Sequence, residues 1–376
     1  MFDHLRLERW PFTVVPDPDR CDFIADREQI RVDLQRLIRD LSRQNASSIH
    51  PIWSWFGAGK THTLYYLSNQ AALVDKRGRG HLRTIYSEFP QSPRSFLDIY
   101  RSFALGLDQE VLYEAYLEIC TSPDSSRLVS KLSGSSFDLV SALKVLVFGD
   151  SADKELAMRW LRAEALPIPE CRKLGISKKI ASSSDSSRIL TGLVRMFGLV
   201  ASSQNQINSR LIWLLDELQR IAELPPRVRN EINTGLHSTF NACPTGFSMV
   251  LSFSGHPTEK LPVWFSPELK DRIGRTRVMI LPPMQTIDAL KFVKDVLAHS
   301  RQSEQTNGDP YFPFTETTCR AIIDDIANHD ELKPRAIMQA FNIVLAEADP
   351  QIEAGEIQVI SPDFAKMVLS ELVQPD

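Results

Sequence analysis

The chain of 376 residues is 43% hydrophobic, enough for a sizeable core and for two or three packed units rather than one. With 43 basic and 47 acidic residues the formal net charge is -4, which excludes a global positive field that would draw the molecule onto nucleic acid or an anionic membrane. Any nucleic-acid contact has to come from local patches.

Cys21, Cys120, Cys171, Cys243 and Cys319 form no C-x-x-C pair and have no histidine at zinc-ligand spacing, so they read as free thiols of a reducing compartment. The opening "MFDHLRLERW" lacks the apolar run of a signal peptide, and no stretch approaches the roughly 20 apolar residues of a membrane span. The expected location is the cytoplasm, with no membrane partner.

After the Pro-rich "WPFTVVPDPDR", residues 25–44 place Ile30, Leu34, Leu37, Ile38 and Leu41 at helical spacing, with Arg27, Arg31 and Arg39 elsewhere around the helix. "SIHPIWSW" reads as a short strand, "GAGKT" as a loop, and "KTHTLYYLSNQAALV" as a helix whose N-terminus faces bound phosphate. "HLRTIYSEFP" reads as a second strand and "SPRSFLDIYRSFALGLDQ" as a second helix, capped by Ser92 with Pro93 in its first turn. Strand, helix, strand, helix is the order a parallel three-layer α/β fold requires.

From about residue 109 to about residue 206 helical patterns dominate, broken by the Ser-rich "LSGSSFD" and "ASSSDSS", which read as solvated loops in a mainly helical insertion. "SRLIWLLDELQRI" sets the apolar run Ile212 to Leu215 before Asp216 and Glu217, as suits a strand buried on both faces. "GFSMVLSFSGHP" reads as another such strand and "TRVMILPPM" as a further one, stopped by Pro282 and Pro283. Helical patterns fill the rest. The expected division is an N-terminal segment over 1–47, a core over 48–283 and a helical lid over 284–376.

The loop meets the phosphate-binding pattern G-x-x-x-x-G-K-[ST] at Gly59, Lys60 and Thr61, but Ser54 stands where the first glycine belongs. Gly57 and Gly59 supply bare backbone near the phosphates, with Ala58 and His62 beside them; Lys60 is suited to the β- and γ-phosphates, and the Thr61 hydroxyl to magnesium. A strand ending in Asp-Glu completes what ATP hydrolysis needs: Asp216 to hold magnesium and Glu217 to orient and polarise the attacking water. The next strand ends in Ser252, Ser254, Gly255 and His256, where a polar side chain such as Ser254 can position water or sense phosphate loss. "SPELKDRIGRTRVMILPPM" offers Lys270, Arg272, Arg275 and Arg277; Arg272 first and Arg275 second are candidates for a charge-stabilising finger reaching a neighbouring subunit. Arg335, in the first turn of the helix begun by "KPRAI", opposes the helix dipole there, and a bound nucleotide explains it.

In this order the five elements resemble the AAA+ ATPases, in particular the ExeA and TnsC/MuB-like branch and the origin-recognition type. The phrase "LRLERWPFTVVPDPDRCDFI" and Gly255, His256 and Pro257, in place of that branch's "GQP", carry the likeness to the first. "AMRWLRAEALPIPECRKLGI" ahead of "LIWLLDEL" is also similar to ATP-binding proteins of BREX-type phage-defence systems. The resemblance spans about residues 5 to 345. It implies an α/β three-layer P-loop core with a helical insertion and a C-terminal helical lid, ATP and Mg2+ as cofactors, hydrolysis of ATP, and assembly with further copies of the chain. It also implies regulation of a DNA-acting effector in defence or transposition, with duplex DNA a candidate partner. A nucleotide switch that gates an effector without assembling is the other reading.

Overall fold

β1 (Ser48–Ser54), β2 (His81–Glu88), β3 (Ser209–Asp216), β4 (Phe247–Ser254) and β5 (Met279–Ile280) make one sheet in the order β2-β3-β4-β1-β5. The computed structural model describes residues 2–25, 27–76, 81–203, 209–258, 260–273, 278–301 and 308–371. β2 runs parallel to β3, from His81 opposite Ser209 to Glu88 opposite Asp216, and β3 is parallel to β4. β5 is parallel to β1, with Met279 opposite Ile52. The Ser48 and Ser248 hydroxyls lie 2.9 Å apart at one end of β1 and β4, and the Trp53 and Phe253 rings 5.4 Å apart at the other, so these two strands also run the same way. The C-terminal ends of β1, β2, β3 and β4 therefore lie along one side of the sheet.

The central strands form where the sequence is apolar without alternation. Leu211 to Leu215 are each 1% exposed or less, as a strand covered on both faces requires, and every residue of β4 is buried. β5 is short because Pro282 and Pro283, which cannot donate to a ladder, follow it closely.

The chain divides into two compact units, Gln35–Trp53 with Leu67–Ile280, and Met1–Leu34 with Ser54–Tyr66 and Leu281–Asp376. α1 (Glu28–Arg43) and α2 (Lys60–Lys76) contribute residues to both. In the sheet unit α3 (Phe96–Leu105) packs on β2. The helices α4 (Gln109–Thr121), α5 (Ser125–Ser133), α6 (Phe137–Phe148), α7 (Ser151–Leu161) and α8 (Ile168–Lys173) follow. α9 (Ser183–Ser203) then packs on β3 and α3, and α10 (Pro226–Ala242) on both α3 and α9. α4 and α5 rest on α9, so the helical segment adds a layer over the core helices. α11 (Pro267–Ile273) leans on α10. Two large buried side chains of this core have their polar tips satisfied: the Trp213 indole donates to Ser87 Oγ at 2.8 Å and the Tyr100 hydroxyl to the Leu161 carbonyl at 2.6 Å.

Two local expectations fail here, and one helix was not expected at all. α3 does not start at Ser92 and Pro93: Ser95 is its extended cap residue, and the Asp98 carboxylate in the first turn accepts the Arg94 N–H at 2.8 Å. The "ASSSDSS" run is not a loop. Ser182 Oγ accepts the Asp185 N–H at 3.1 Å and donates to Asp185 Oδ2 at 2.7 Å, a cap that sends the remaining serines into the first turns of α9. α10 went unread because "PRVRNEINTGLHSTFNA" has no long apolar run.

In the second unit Leu5, Leu7, Phe12 and Ala25 share one apolar core with α12 (Thr286–His299), α13 (Glu316–His329), α14 (Pro334–Glu353) and α15 (Pro362–Glu371). Phe12 packs 5.3 Å from Phe341 and 6.1 Å from Phe314 by ring centroid, and the Trp10 indole donates to Asn342 Oδ1 at 2.7 Å. The five cysteines are free thiols. Among the described residues no helix is long and apolar enough to cross a membrane.

Candidate functional site

Most of the residues marked as nucleotide ligands lie together in the second unit. Gly57 has φ 77° and Gly59 φ 90°, in the left-handed region that side chains rarely adopt, so the loop keeps its shape only with glycine at both positions. A Cβ on Gly57 would stand 3.2 Å from Arg335 Cβ. Ser54 is different: it is not among the residues of positive φ, is fully buried at the end of β1, and its hydroxyl donates to the Trp55 carbonyl at 3.2 Å.

The loop's carbonyls are held from outside. Lys60 Nζ donates to Trp55 O at 3.2 Å and lies 5.8 Å from the centre of the Phe56 ring. The Arg335 N–H donates to Gly57 O at 3.2 Å, which seats the first turn of α14 on the loop. Arg27, itself at φ 55°, donates to Ala58 O and to Pro282 O, each at 2.9 Å. The first turn of α2, which follows the loop, carries no acid to compete with an anion at the positive end of the helix.

His62 is turned to the N-terminal segment. Its Nε2 donates to the Phe23 carbonyl at 2.8 Å, and since a carbonyl only accepts, Nδ1 is the acceptor 3.2 Å from the Cys21 thiol. Phe23 stacks on His299 at 3.7 Å, and His299 Nε2 lies 3.0 Å from Asp22. Burial holds the His62 pKa below the ordinary histidine value and pushes the Cys21 thiol up to about 12. The His62 ring therefore ties down residues 21–23, leaving only its backbone for a nucleotide.

The acidic pair lies in the sheet unit. Asp216, 1% exposed, ends β3; its Oδ1 accepts the Glu217 N–H at 2.8 Å and Tyr86 OH stands 3.5 Å from Oδ2. Glu217 turns off the strand at φ 59° into the 3-10 turn Leu218–Glu223. Gln219 Nε2 donates to Glu217 Oε2 at 2.8 Å, and Arg220 lies 3.4 Å from the same oxygen. Ser254 joins this group through its backbone, whose N–H donates to Gln219 Oε1 at 2.8 Å. Among the described residues the hydroxyls of Ser252 and Ser254 and the Trp53 indole N–H are buried without a hydrogen-bond partner, an orphaned polar set at the strand ends that suits water or a ligand oxygen.

Arg272 is exposed in the last turn of α11 and has no acidic partner among the described residues. Arg275 and Arg277 lie outside the described residues. Arg27, Gln219 and Arg220 are the contributors that sequence reasoning passed over; the one available signal was the glutamine two places after Glu217 in "DELQ".

The donor types present suit a magnesium nucleotide. A Cβ on Gly57 would crowd Arg335 Cβ at 3.2 Å, and the Thr61 hydroxyl of one unit and the Asp216 carboxylate of the other are each the kind of oxygen donor that Mg2+ takes while keeping waters and substrate phosphates as its other ligands. Among the described residues no group of three or more His, Cys, Asp or Glu offers a denser metal site.

A parallel sheet with a glycine loop after β1, acids at the end of β3 and a C-terminal helical region is the α/β fold seen in P-loop NTPases of the AAA+ type. Solved origin-recognition proteins share this fold. The chain aligns over 97% of its length with the ORC1 protein of Aeropyrum pernix in complex with DNA, at TM-score 0.53 and 12% identity, covering 69% of that chain. The ORC2 protein of Aeropyrum pernix, in ADPNP-ADP complexes, aligns at TM-score 0.51 and 16% identity over 94% of this chain and 71% of that one. Drosophila ORC bound to DNA aligns at TM-score 0.52 and 9% identity over 100% of this chain, which spans 65% of that chain's length. No protein-family model and no curated protein matches the sequence.

Proposed function

We propose that this protein is an ATPase that binds Mg-ATP on the Gly57–Thr61 loop, hydrolyses it, and uses the nucleotide to assemble with further copies and regulate a DNA-acting partner. The observation that carries this reading is the loop itself: two left-handed glycines with their neighbouring carbonyls bound by Lys60, Arg27 and the Arg335 N–H, a geometry that turns amides towards an anion. When bound, ATP supplies the phosphoanhydride to be cleaved and Mg2+ neutralises its phosphate charge. Gly57, Ala58, Gly59 and the backbone at His62 hold the phosphates; Lys60 adds a point charge to them. Thr61 and Asp216 hold the metal, and Glu217 orients and polarises the attacking water. Ser254 reads the state of the terminal phosphate, and Arg335 reaches the nucleotide from α14. Arg272, exposed and without an acidic partner among the described residues, acts on the nucleotide of a neighbouring copy, with Arg275 as its alternate.

The nucleotides and DNA named for the origin-recognition structures support ATP and duplex DNA as the first ligands to try. The "AMRWLRAEALPIPECRKLGI" phrase favours a partner in defence, and "LRLERWPFTVVPDPDRCDFI" one in transposition. The test is sedimentation of the purified chain with Mg2+ and ATP or a non-hydrolysable analogue, with and without duplex DNA, beside a turnover assay. Assembly that needs ATP supports the reading; an unaltered monomer profile in every condition favours the non-assembling switch instead. Glu217→Gln should bind ATP and barely turn it over, and Arg272→Ala should keep binding while losing turnover. Loss of nucleotide binding in neither Lys60→Ala nor Thr61→Ala would remove the loop from the function.

A further inference from the structure

One side-chain amide in the sheet unit spans two groups to which the hydrolytic reading gives separate roles. Gln219 Nε2 donates to Glu217 Oε2 at 2.8 Å while its Oε1 accepts the N–H of Ser254, the last residue of β4, at 2.8 Å. The Gln219 amide carries the donor and the acceptor that these two bonds require on one rigid planar group; glutamate would keep the acceptor alone and lysine the donor alone. Arg220 adds a cationic contact to the same carboxylate oxygen at 3.4 Å and donates to the Phe89 carbonyl at 2.6 Å, which fixes it. Both contacts fall on Oε2, which leaves Oε1 without a donor among the described residues.

We propose that Gln219 is a positioning residue that fastens the Glu217 carboxylate to the end of β4. The proposal rests on the hydrolytic reading above and deepens it. Ser254 cannot shift its backbone without moving the Gln219 amide, and the amide cannot move without turning Glu217. Because Glu217 sits at φ 59°, off the strand and outside the α and β regions, its direction is set by these side-chain partners rather than by the sheet ladder. A terminal phosphate that engages the polar end of β4 thereby aims Oε1 at the water, and its loss releases that aim.

The test uses the full chain with ATP and Mg2+, measuring the ATP Kd and the turnover number separately at one pH for the unmodified protein, Gln219→Leu, Gln219→Glu and Glu217→Gln. Gln219→Leu should hold the ATP Kd within about threefold while turnover falls at least about tenfold. Gln219→Glu keeps the acceptor for Ser254 but sets a second carboxylate against Glu217, so it should show the same split, an ATP Kd within about threefold with turnover down at least about tenfold. Full turnover in either variant overturns the proposal. If Gln219→Leu does not fold, Gln219→Glu carries the test alone. Failure of the underlying reading looks different, since Glu217→Gln would then turn over ATP as fast as the unmodified chain.

Discussion

The hydroxyl of Ser54 donates to the carbonyl of Trp55 at 3.2 Å, and Lys60 Nζ donates to that same oxygen at 3.2 Å. A carbonyl has two lone pairs, so the two donors share it rather than compete. Glycine is dispensable here because the left-handed turns come later, at Gly57 and Gly59. Ser54→Gly removes one hydrogen bond and adds backbone freedom to the unfolded chain, which should lower stability by about 1–2 kcal/mol. The ATP Kd should stay within about threefold, a difference under about 0.7 kcal/mol. Chemical denaturation and calorimetric titration measure the two separately, and a Kd change beyond tenfold would show that the serine tunes affinity after all.

Gly57 makes the opposite case. An alanine there has to adopt φ 77° at a cost of roughly 1–2 kcal/mol, and its Cβ meets Arg335 Cβ at 3.2 Å. Either the loop or the first turn of α14 gives way, and the N–H of Arg335 then loses Gly57 O. Gly57→Ala should weaken ATP binding at least about tenfold, the equivalent of about 1.4 kcal/mol. A titration in which Gly57→Ala matches the unmodified protein would mean that the loop tolerates a side chain where the geometry leaves no room for one.

These two residues also show what a sequence discloses. Gly57, Gly59, Lys60 and Thr61 are legible because a phosphate loop is a local device, written within a few residues, and β3 and β4 are legible because burial on both faces demands an unbroken apolar run. Gln219 and Arg27 are not. Their partners, Ser254 and Ala58, are set by folding across long stretches of chain, and neither residue type announces a role. The serines that open α9 misled for another reason: the residues favoured in loops are the same ones favoured at helix starts, and only the Ser182 and Asp185 pair separates the two. Arg275 lies outside the described residues, so the finger assignment rests on the exposed Arg272.

Arg210 carries a prediction about stability alone. Its guanidinium, 1% exposed, donates to the carbonyls of Ala46 at 3.0 Å and Phe247 at 3.4 Å, and also to Gln44 O and Ser248 Oγ, fastening the chain before β1 to the start of β3. Burial pulls its pKa down to about 10, so it stays charged at neutral pH on carbonyl acceptors. Arg210→Met fills the space but strands those oxygens, each costing about 1–3 kcal/mol if water does not reach it. Urea unfolding should show a loss of about 2–4 kcal/mol. An unchanged midpoint would mean that water replaces the guanidinium freely.

The contact of His62 with Phe23 makes stability depend on pH. Burial is the main cause that lowers the His62 pKa; the Phe23 hydrogen bond and Asp22 oppose it, and His299, itself lowered by burial, adds to it. Unfolded, the imidazole titrates near about 6.5, so below that pH the unfolded chain binds a proton that the folded chain resists. The stabilisation from neutral His62 is complete above that value and is lost as pH falls towards the lowered folded pKa. Unfolding free energies at pH 7, 6 and 5 should therefore decline for the unmodified protein. His62→Gln keeps an amide donor for the Phe23 carbonyl and has no proton to gain, so its decline should be shallower by up to about 1.4 kcal/mol per pH unit. Parallel slopes in the two proteins would mean that the ring titrates alike in both states, and that Cys21 and Phe23 do not hold it neutral.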